Sequence, residues 1–447
     1  MRLRTLTALA GALALSLATG CAKGDSTGAS ANTVTYWLWD ANQLPAYQAC
    51  AKGFEKENPG LHVKITQLGW SDYWTKLTAG FIAGTQPDVF TDHIQKFGQF
   101  ADLQVLEPLD DLGIKDSRYQ PGLAANWIGQ DGHRYGAPKD WDTVALFYND
   151  KMAKSAGLTT EQLDSLSWNP KDGGTFEKAI AHLTVDRNGK RGDEPGFDKN
   201  HVKVYGLASN GGGYGDGQTQ WSMFTASAGW NFTDKARWGT KYQYDSKTFK
   251  YVVKWYFGLA KKGYLAPFSD YNVQSNQANT QVAAGKAAAA FDGAWMISTY
   301  AGFKGRDIKT AVTPVGPTGR RATMMNGLAD SITKASKNKE GARKWVAYLA
   351  SDACQTVVGK YGVVFPAAPA GTKAAIAAYE RKGIDVSAFT EPVADKKRFR
   401  TFSYPITNYA ADVTALMQPQ MEDIYGNGAS VNGLDQTTSQ INRILSQ

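Results

Sequence analysis

Tryptophans next to carboxylates are the most chemically suggestive feature of this chain. Trp39 precedes Asp40, Trp295 follows Asp292 by three residues, and Trp141 has an aspartate on each side. A pyranose ring offers hydroxyls at its edge, which carboxylates bind strongly, and apolar C–H faces, on which a flat indole packs. Because one such contact contributes only about 1 kcal/mol, useful affinity requires several of each kind. These residues predict a saccharide-binding site.

The composition predicts a folded protein that is unusually rich in aromatic residues. The 447 residues include 13 Trp, 21 Tyr and 19 Phe, and 43% are hydrophobic, which excludes a disordered chain. This length predicts about two domains. The net charge of +8 is spread among acidic residues and forms no stripe, so a nucleic-acid partner is not expected.

The N-terminus is typical of an exported lipoprotein. A basic head precedes an uncharged apolar run over 6–18, and Cys21 follows small residues. We expect 1–20 to be a signal peptide, Cys21 to receive lipid, and 21–32 to be a flexible tether on the outer face of the cell membrane. Ala18 departs from the usual Leu of such signals. The alternative is a secreted protein with an incidental cysteine.

Alternating elements follow the tether. The spacing of apolar residues predicts strands over 33–39, 61–66 and 88–91 and helices over 44–54 and 73–83. Such alternation predicts a parallel sheet whose ligands gather at the carboxyl ends of the strands. The residues at those ends are candidate ligand contacts: Trp39, Asp40, Trp70, Asp92 and His93. Trp70 could equally pack under its loop, and His93 could be a surface histidine.

Five landmarks in order carry a resemblance to a known family. They are FEKENPG (54–60), QPDVF (86–90) with VLEPLDDL (105–112), YGAPKDWDTVALFYND (135–150), GKAAAAFDGAW (285–295) and NGLADSITKASKNKEGARKWVAYLAS (326–351). Together they resemble the family 1 extracellular solute-binding proteins of ABC importers, the carbohydrate-binding group that includes maltose-binding protein.

The resemblance implies an α/β fold of two lobes, each a mostly parallel sheet flanked by helices, joined by a three-crossing hinge. It assigns 34–139 with 313–366 to the N-terminal lobe and 140–312 with 367–447 to the C-terminal lobe. The implied crossings lie near 139–143, 311–314 and 366–370. The implied partners are a mono- or oligosaccharide in the cleft and the transmembrane subunits of an ABC permease. A monomer without cofactor or catalysis is implied as well.

The resemblance also supplies candidate site residues. Trp295 matches a tryptophan that stacks on sugar in the family, and Asp142 matches a cleft glutamate. Tyr214 and Trp230 flank a glycine-rich loop where the family places further stacking aromatics, whereas Trp221 is expected in the core.

Several positions have two interpretations. Asn326 and Gly327 follow the second crossing and could belong to hinge or site, and Asp292 could cap a turn instead of binding ligand. Cys50 and Cys354 fall on helices that the resemblance assigns to one lobe, so they could form a disulfide or remain two buried thiols.

No enzyme motif is complete. S-x-x-K occurs at 331–334 and 336–339 without K-T-G, and the chain has no Walker A, G-x-S-x-G or H-E-x-x-H motif. The five histidines have no zinc spacing. Because paired carboxylates also serve glycosidases, an exported carbohydrate-active enzyme is one alternative function. A receptor of the same fold for a polyol or another polar solute is the other.

Overall fold

A computed structural model describes residues 32–211, 214–270 and 277–447. The expected signal peptide, Cys21 and all of the expected tether except Asn32 lie outside the described residues. Within the described ranges, no helix is both long enough and apolar enough to span a bilayer.

The described strands are β1 Thr33–Leu38, β2 His62–Gln67, β3 Val89–His93, β4 Ala137–Asp142, β5 Val144–Asn149, β6 Val185–Asp186, β7 Val202–Leu207, β8 Ala287–Gly293, β9 Ile308–Ala311, β10 Arg321–Met324, β11 Asn326–Ile332, β12 Phe365–Pro366 and β13 Phe399–Phe402.

The described helices are α1 Leu44–Glu57, α2 Trp70–Ala83, α3 Ile94–Asp102, α4 Asp150–Ser155, α5 Thr160–Asp164, α6 Gly174–Leu183, α7 Ser222–Ser227, α8 Lys247–Lys261, α9 Ala278–Ala283, α10 Ile297–Ala301, α11 Lys339–Leu349, α12 Asp352–Tyr361, α13 Pro369–Arg381, α14 Ser387–Ala394, α15 Ala410–Gly426 and α16 Gly433–Ile444.

Two sheets form the centres of the two lobes. The first has the strand order β12-β4-β11-β3-β1-β2, and the second has the order β6-β7-β8-β5-β9. The alternation of the first strand explains its place, because Val34, Tyr36 and Leu38 are buried while the residues between them are half-buried. The predicted α/β two-lobe class is confirmed.

The expectation of mostly parallel sheets is wrong. In the first sheet β1 pairs in parallel with β2 and β3, but β11 is antiparallel to β3 and β4, and β12 is antiparallel to β4. In the second sheet only β7 and β8 are parallel. The physical reason is connectivity: helical crossovers join β1, β2 and β3, as parallel pairing requires, whereas β11 and β12 are inserted from later parts of the chain.

The chain passes between the sheets at Thr143, because β4 of the first sheet ends at Asp142 and β5 of the second begins at Val144. It returns to the first sheet between β9 and β11, by way of β10, which pairs in parallel with β13. The numerical bounds of the lobes remain a prediction.

A disulfide links α1 to α12. Cys50 and Cys354 are bonded, with 5.2 Å between their Cα atoms and a sequence separation of 304. Both are fully buried beside Tyr36 and Trp345 in the apolar core that α1, α11 and α12 form against the first sheet. The bond therefore joins the start and a late part of one lobe.

Candidate ligand-binding site

The ends of four strands of the first sheet come together at one edge. Trp39 follows β1, His93 ends β3, Asp142 ends β4 and Asn326 begins β11. Because β11 runs antiparallel between β3 and β4, its first residue lies opposite Asp142, and its third, Leu328, lies opposite His93. The sheet order therefore gathers side chains that are far apart in sequence.

Three tryptophans at this edge form what we call the aromatic panel: Trp39, Trp70 and Trp74. Between ring centroids, Trp39 lies 5.1 Å from Trp70 and 5.3 Å from Trp74, and Trp70 lies 5.4 Å from Trp74. Trp70 is the first residue of α2 and Trp74 follows one turn later, so both side chains occupy the same face of the helix. Trp39 and Trp70 stay partly exposed, which leaves indole surface for a ligand.

Three polar side chains next to the panel form what we call the polar row: His93, Asn326 and Asp142. His93 Nε2 lies 2.9 Å from Asn326 Nδ2, and Asn326 also hydrogen-bonds Asp142. The His93 ring is 5.5 Å from Trp70. Burial, together with the positive charge of Lys96, lowers the pKa of His93 to about 3, so the ring is neutral at physiological pH.

Asp142 is a carboxyl group with unused hydrogen-bonding capacity. Its side chain is buried, and Oδ1 has no hydrogen-bond partner in the described part of the chain. Burial and the neighbouring Asp140 raise its pKa well above the usual range, and the bond from Asn326 opposes them. An unsatisfied buried acceptor of this kind is a strong position for a ligand hydroxyl or amine.

Asp40 and Asp92 are placed differently from each other. Asp40 is half-buried, and its carboxylate accepts hydrogen bonds from Asn42 N at 2.8 Å and Gln43 Nε2 at 3.1 Å, so it orders the turn before α1. Asp92 is fully buried and accepts from His93 N at 2.8 Å and from Ser331 Oγ at 3.4 Å. Both Asp92 oxygens accept bonds within the protein, as those of Asp40 do, and its contact with ligand stays a prediction.

The second sheet contributes Trp295. The last residue of β8, Gly293, pairs with Val144, and Ala294 N donates to Thr143 O at 3.0 Å. The half-buried Trp295 ring lies over Gly293, where an added Cβ would come within 1.8 Å of Cζ3. No other aromatic ring among the described residues packs against Trp295. Glycine at 293 therefore makes room for an indole that is otherwise free to stack.

Asp292 caps a turn. Its Oδ1 accepts from Gly293 N at 2.9 Å, and its Oδ2 accepts from Tyr300 Oη at 3.2 Å. Burial raises the pKa of Asp292 to about 7, although these bonds and one from the Asn210 side chain oppose the shift. Of the two interpretations offered by the sequence, the structure favours the cap.

The two other aromatic candidates are Trp230 and Tyr214. Trp230 is buried among Trp221, Phe232, Tyr244 and Phe249, and its Nε1 donates to the carbonyl of Gln243 at 2.9 Å. Its satisfied Nε1 and its aromatic neighbours favour a core role, and stacking on ligand stays a prediction. The side chain of Tyr214 lies outside the described residues.

Gly327 serves packing. A Cβ at this position in β11 would come within 2.5 Å of Leu123 Cδ1, so the strand requires glycine for close approach. Its backbone N donates to Asn326 Oδ1 at 2.8 Å and so fixes the amide of the polar row.

Four residues at or near the polar row are not among those predicted from the sequence. Gln95 Nε2 donates to Asp216 Oδ2 at 2.8 Å, which joins the start of α3 to the 214–216 turn between β7 and β8. The Tyr404 ring lies 5.4 Å from His93, and its hydroxyl donates to Gln218 Oε1 at 2.7 Å. Gln95 follows the predicted strand end by two residues and could have been found, but no local pattern marks Tyr404.

Metal binding has no support in the described ranges, where no group of three or more His, Cys, Asp or Glu side chains is placed to hold an ion.

Comparisons with known proteins agree on one family. Residues 40–356 match the model of the family described as bacterial extracellular solute-binding protein. The maltodextrin-binding protein MdxE of Bacillus subtilis is 28% identical over 307 residues, which cover 67% of this chain and 65% of the relative, just under two thirds of its length. A maltooligosaccharide ABC transporter solute-binding lipoprotein of Streptococcus pneumoniae strain R6 is 26% identical over 343 residues, covering 75% of this chain and 72% of that one.

Solved structures share the fold. The ABC substrate-binding protein Lmo0181 of Listeria monocytogenes, solved in complex with cycloalternan, matches with a TM-score of 0.76 at 17% identity. The match covers 93% of this chain and 99% of that one.

Proposed function

This chain belongs to the bacterial extracellular solute-binding protein family, and from that premise we propose that it is the receptor of an ABC sugar importer. In this proposal it binds a mono- or oligosaccharide in the cleft between its lobes, delivers it to the permease and catalyses no reaction. Its relatives include proteins named for binding maltodextrin and maltooligosaccharide.

The observation that carries the proposal is the juxtaposition of indole surface and free polar atoms at one sheet edge. The aromatic panel adjoins the polar row, whose Asp142 Oδ1 lacks a partner among the described residues. Thr143 follows Asp142 directly and accepts the bond from Ala294, next to Trp295. The crossing at Thr143 therefore brings Asp142 of the polar row near Trp295, and a ligand in the cleft would meet the polar row on one side and a stacking indole on the other.

The panel and the row suit different parts of a sugar. The partly exposed side chains of Trp39 and Trp70 suit pyranose C–H groups, and each such contact contributes about 0.5–1.5 kcal/mol beyond area burial. The neutral His93, Asn326 and Asp142 suit hydroxyls, at about 1 kcal/mol for each net hydrogen bond. The proposed contacts are Trp39, Asp40, Trp70, His93, Asp142, Tyr214, Trp295 and Asn326.

The division of the proposed ligand contacts between the two sheets implies that the lobes close on the ligand. Because ligand contacts come from both sheets, they form together only when the lobes are shut, so ligand stabilises the closed form. The hydrogen bond from Gln95 to Asp216 already bridges the first lobe and the second-lobe turn. The permease would then distinguish closed from open receptor.

Membrane attachment is the second part of the proposal. The residues before the fold have the order of a lipoprotein signal, with Cys21 as the acceptor. The pneumococcal relative is named a lipoprotein. We place this chain on the outer face of the membrane, with lobes bounded as the sequence predicts.

Calorimetry combined with product analysis tests the proposal. The protein without its first 31 residues, all outside the described fold, is titrated with maltooligosaccharides, xylooligosaccharides, chitooligosaccharides and polyols. Binding of at least one saccharide, with every sugar recovered intact after overnight incubation, is expected. Cleavage products would support the glycosidase alternative instead, and binding of polyols alone would support the polyol receptor.

A further inference from the structure

Acidic side chains near the sheet edge outnumber the cation that interacts with them. We call Asp40, Asp140, Asp142 and Asp330 the acid cluster; Asp140 and Asp330 are 2% and 1% exposed. Lys139, 1% exposed, is the cation among the described residues that interacts electrostatically with Asp330, Asp140 and Asp40. One lysine can neutralise one carboxylate, so full ionisation would leave three charges uncompensated.

Within the acid cluster, Lys139 interacts most strongly with Asp330. Its Nζ lies 3.5 Å above the Tyr47 ring and 3.3 Å from Tyr36 Oη, which in turn donates to Asp330 Oδ1 at 2.7 Å. This chain of contacts places the lysine charge at Asp330. The groups that act on Asp142 besides burial are Asp140 and Asn326, and not Lys139.

Unused buried atoms mark the part of the cluster that lacks a cation. Asp140 Oδ2, Asp142 Oδ1 and Tyr47 Oη have no hydrogen-bond partner in the described ranges. Tyr47, 1% exposed, lies close enough to Asp140 and Asp330 for their charges to raise its pKa, after burial itself. A buried carboxylate without a counter-charge costs several kcal/mol. Protonation removes this cost, and burial raises the pKa of Asp140 to about 7.

The aromatic panel adds a second feature that attracts cations. Trp39 directly precedes Asp40, and the panel adjoins the polar row that contains Asp142. Indole faces attract ammonium groups through the ring quadrupole. This acidic, aromatic environment contrasts with a chain whose net charge is +8.

We propose that the ligand is a saccharide bearing a protonated amine, whose ammonium group binds Asp142 Oδ1 beside the aromatic panel, with Asp140 behind it. The inference rests on the proposed function and narrows its ligand class. A neutral hydroxyl would satisfy the free oxygen but would leave Asp140 and Asp142 protonated, because it brings no charge that favours their ionised forms. An ammonium group supplies both the donor and the charge, and a metal ion does not fit because the described residues provide no ligand set for one.

The test compares matched sugars that differ in charge at one nitrogen. Glucosamine oligomers, the N-acetylated oligomers of equal length and maltooligosaccharides of equal length are titrated calorimetrically at about pH 7, in two buffers of different ionisation enthalpy. We expect the amine-bearing sugar to bind at least about tenfold more tightly than its N-acetylated partner, the scale of 1.4 kcal/mol. We also expect proton release, because the ammonium group drives Asp140 and Asp142 to ionise.

Two variants locate the effect. Asp142→Asn keeps the shape of the protonated acid, so we expect it to fold normally and to reduce the preference for the amine towards unity, with a smaller change for the neutral sugar. Asp435→Asn is the matched control, because it removes an exposed carboxylate that pairs with Lys250 at 2.7 Å, and it should keep the preference.

Equal or tighter binding of the N-acetylated or neutral sugar would overturn the inference and leave the proposed function standing. Failure of every saccharide to bind would overturn the proposed function itself.

Discussion

Replacing Trp295 with alanine should weaken sugar binding while leaving the unliganded protein nearly as stable as before. The structure supports this separation because the indole is half-buried, lies over Gly293 and contacts no other aromatic ring among the described residues. Its removal therefore opens little space in the core. Its exposed face, in contrast, is available to a pyranose.

The magnitude follows from the surface that a sugar would cover. One indole face buries about 60 Å² against a ring, which at about 25 cal/mol per Å² is worth roughly 1.5 kcal/mol. Stacking adds about 0.5–1.5 kcal/mol. The sum, about 2–3 kcal/mol, corresponds to a dissociation constant raised about 30- to 160-fold.

Calorimetry and thermal melting together test this prediction, with two matched variants. Trp295→Phe keeps a flat ring and should lose less than about tenfold in affinity. Trp230→Ala removes a tryptophan buried among Trp221 and Phe249, so it should cost about 3–5 kcal/mol of unfolding free energy. Unchanged affinity in Trp295→Ala together with a large fall in melting temperature would refute the reasoning and assign Trp295 to the core.

Three further predictions concern stability and closure. Burial raises the pKa of Asp140 and Asp292 from 3.8 to about 7. The folded state therefore binds these protons more tightly than the unfolded state, and their contribution to stability is complete below the unfolded pKa of 3.8. The melting temperature should fall as pH rises from about 4 to 7. A double Asp→Asn variant should flatten that profile, and an unchanged profile would contradict the assignment. Cys354→Ser removes the disulfide that closes a loop of 304 residues and should lower the free energy of unfolding by roughly 3–5 kcal/mol in urea titrations; a change below about 1 kcal/mol would contradict it. Gln95→Ala removes the bond to Asp216, so the open form should gain population and sugar affinity should fall about three- to tenfold; unchanged affinity and solution scattering would show that the bond does not favour closure.

The sequence predicted the first elements well because their signals are local. The alternation of Val34, Tyr36 and Leu38 predicts β1, and the Asn58–Gly60 stop predicts the end of α1. The predicted ends of the first and third strands then indicated Trp39 and His93 as residues at the edge of the sheet. The pairing of His93 with Asn326 across 233 residues depends on the insertion of β11 and has no local signal.

Two pairs of candidate residues could not be ranked from the sequence. Asp92 and His93 are neighbours in a strand, so their side chains point to opposite faces and only one could join the polar row. Trp230 and Trp295 are the same residue type, and an indole can pack in a hydrophobic core as well as against a sugar. Only burial and the satisfied Nε1 of Trp230 distinguish them.

A crystal structure of the complex with the tightest-binding saccharide tests the central claim most directly. We expect a sugar ring to lie against Trp39 and Trp70 and Trp295 to stack on the sugar from the second lobe. A ligand donor should lie within hydrogen-bonding distance of Asp142 Oδ1. A saccharide bound outside the cleft, with these three indoles untouched, would contradict it.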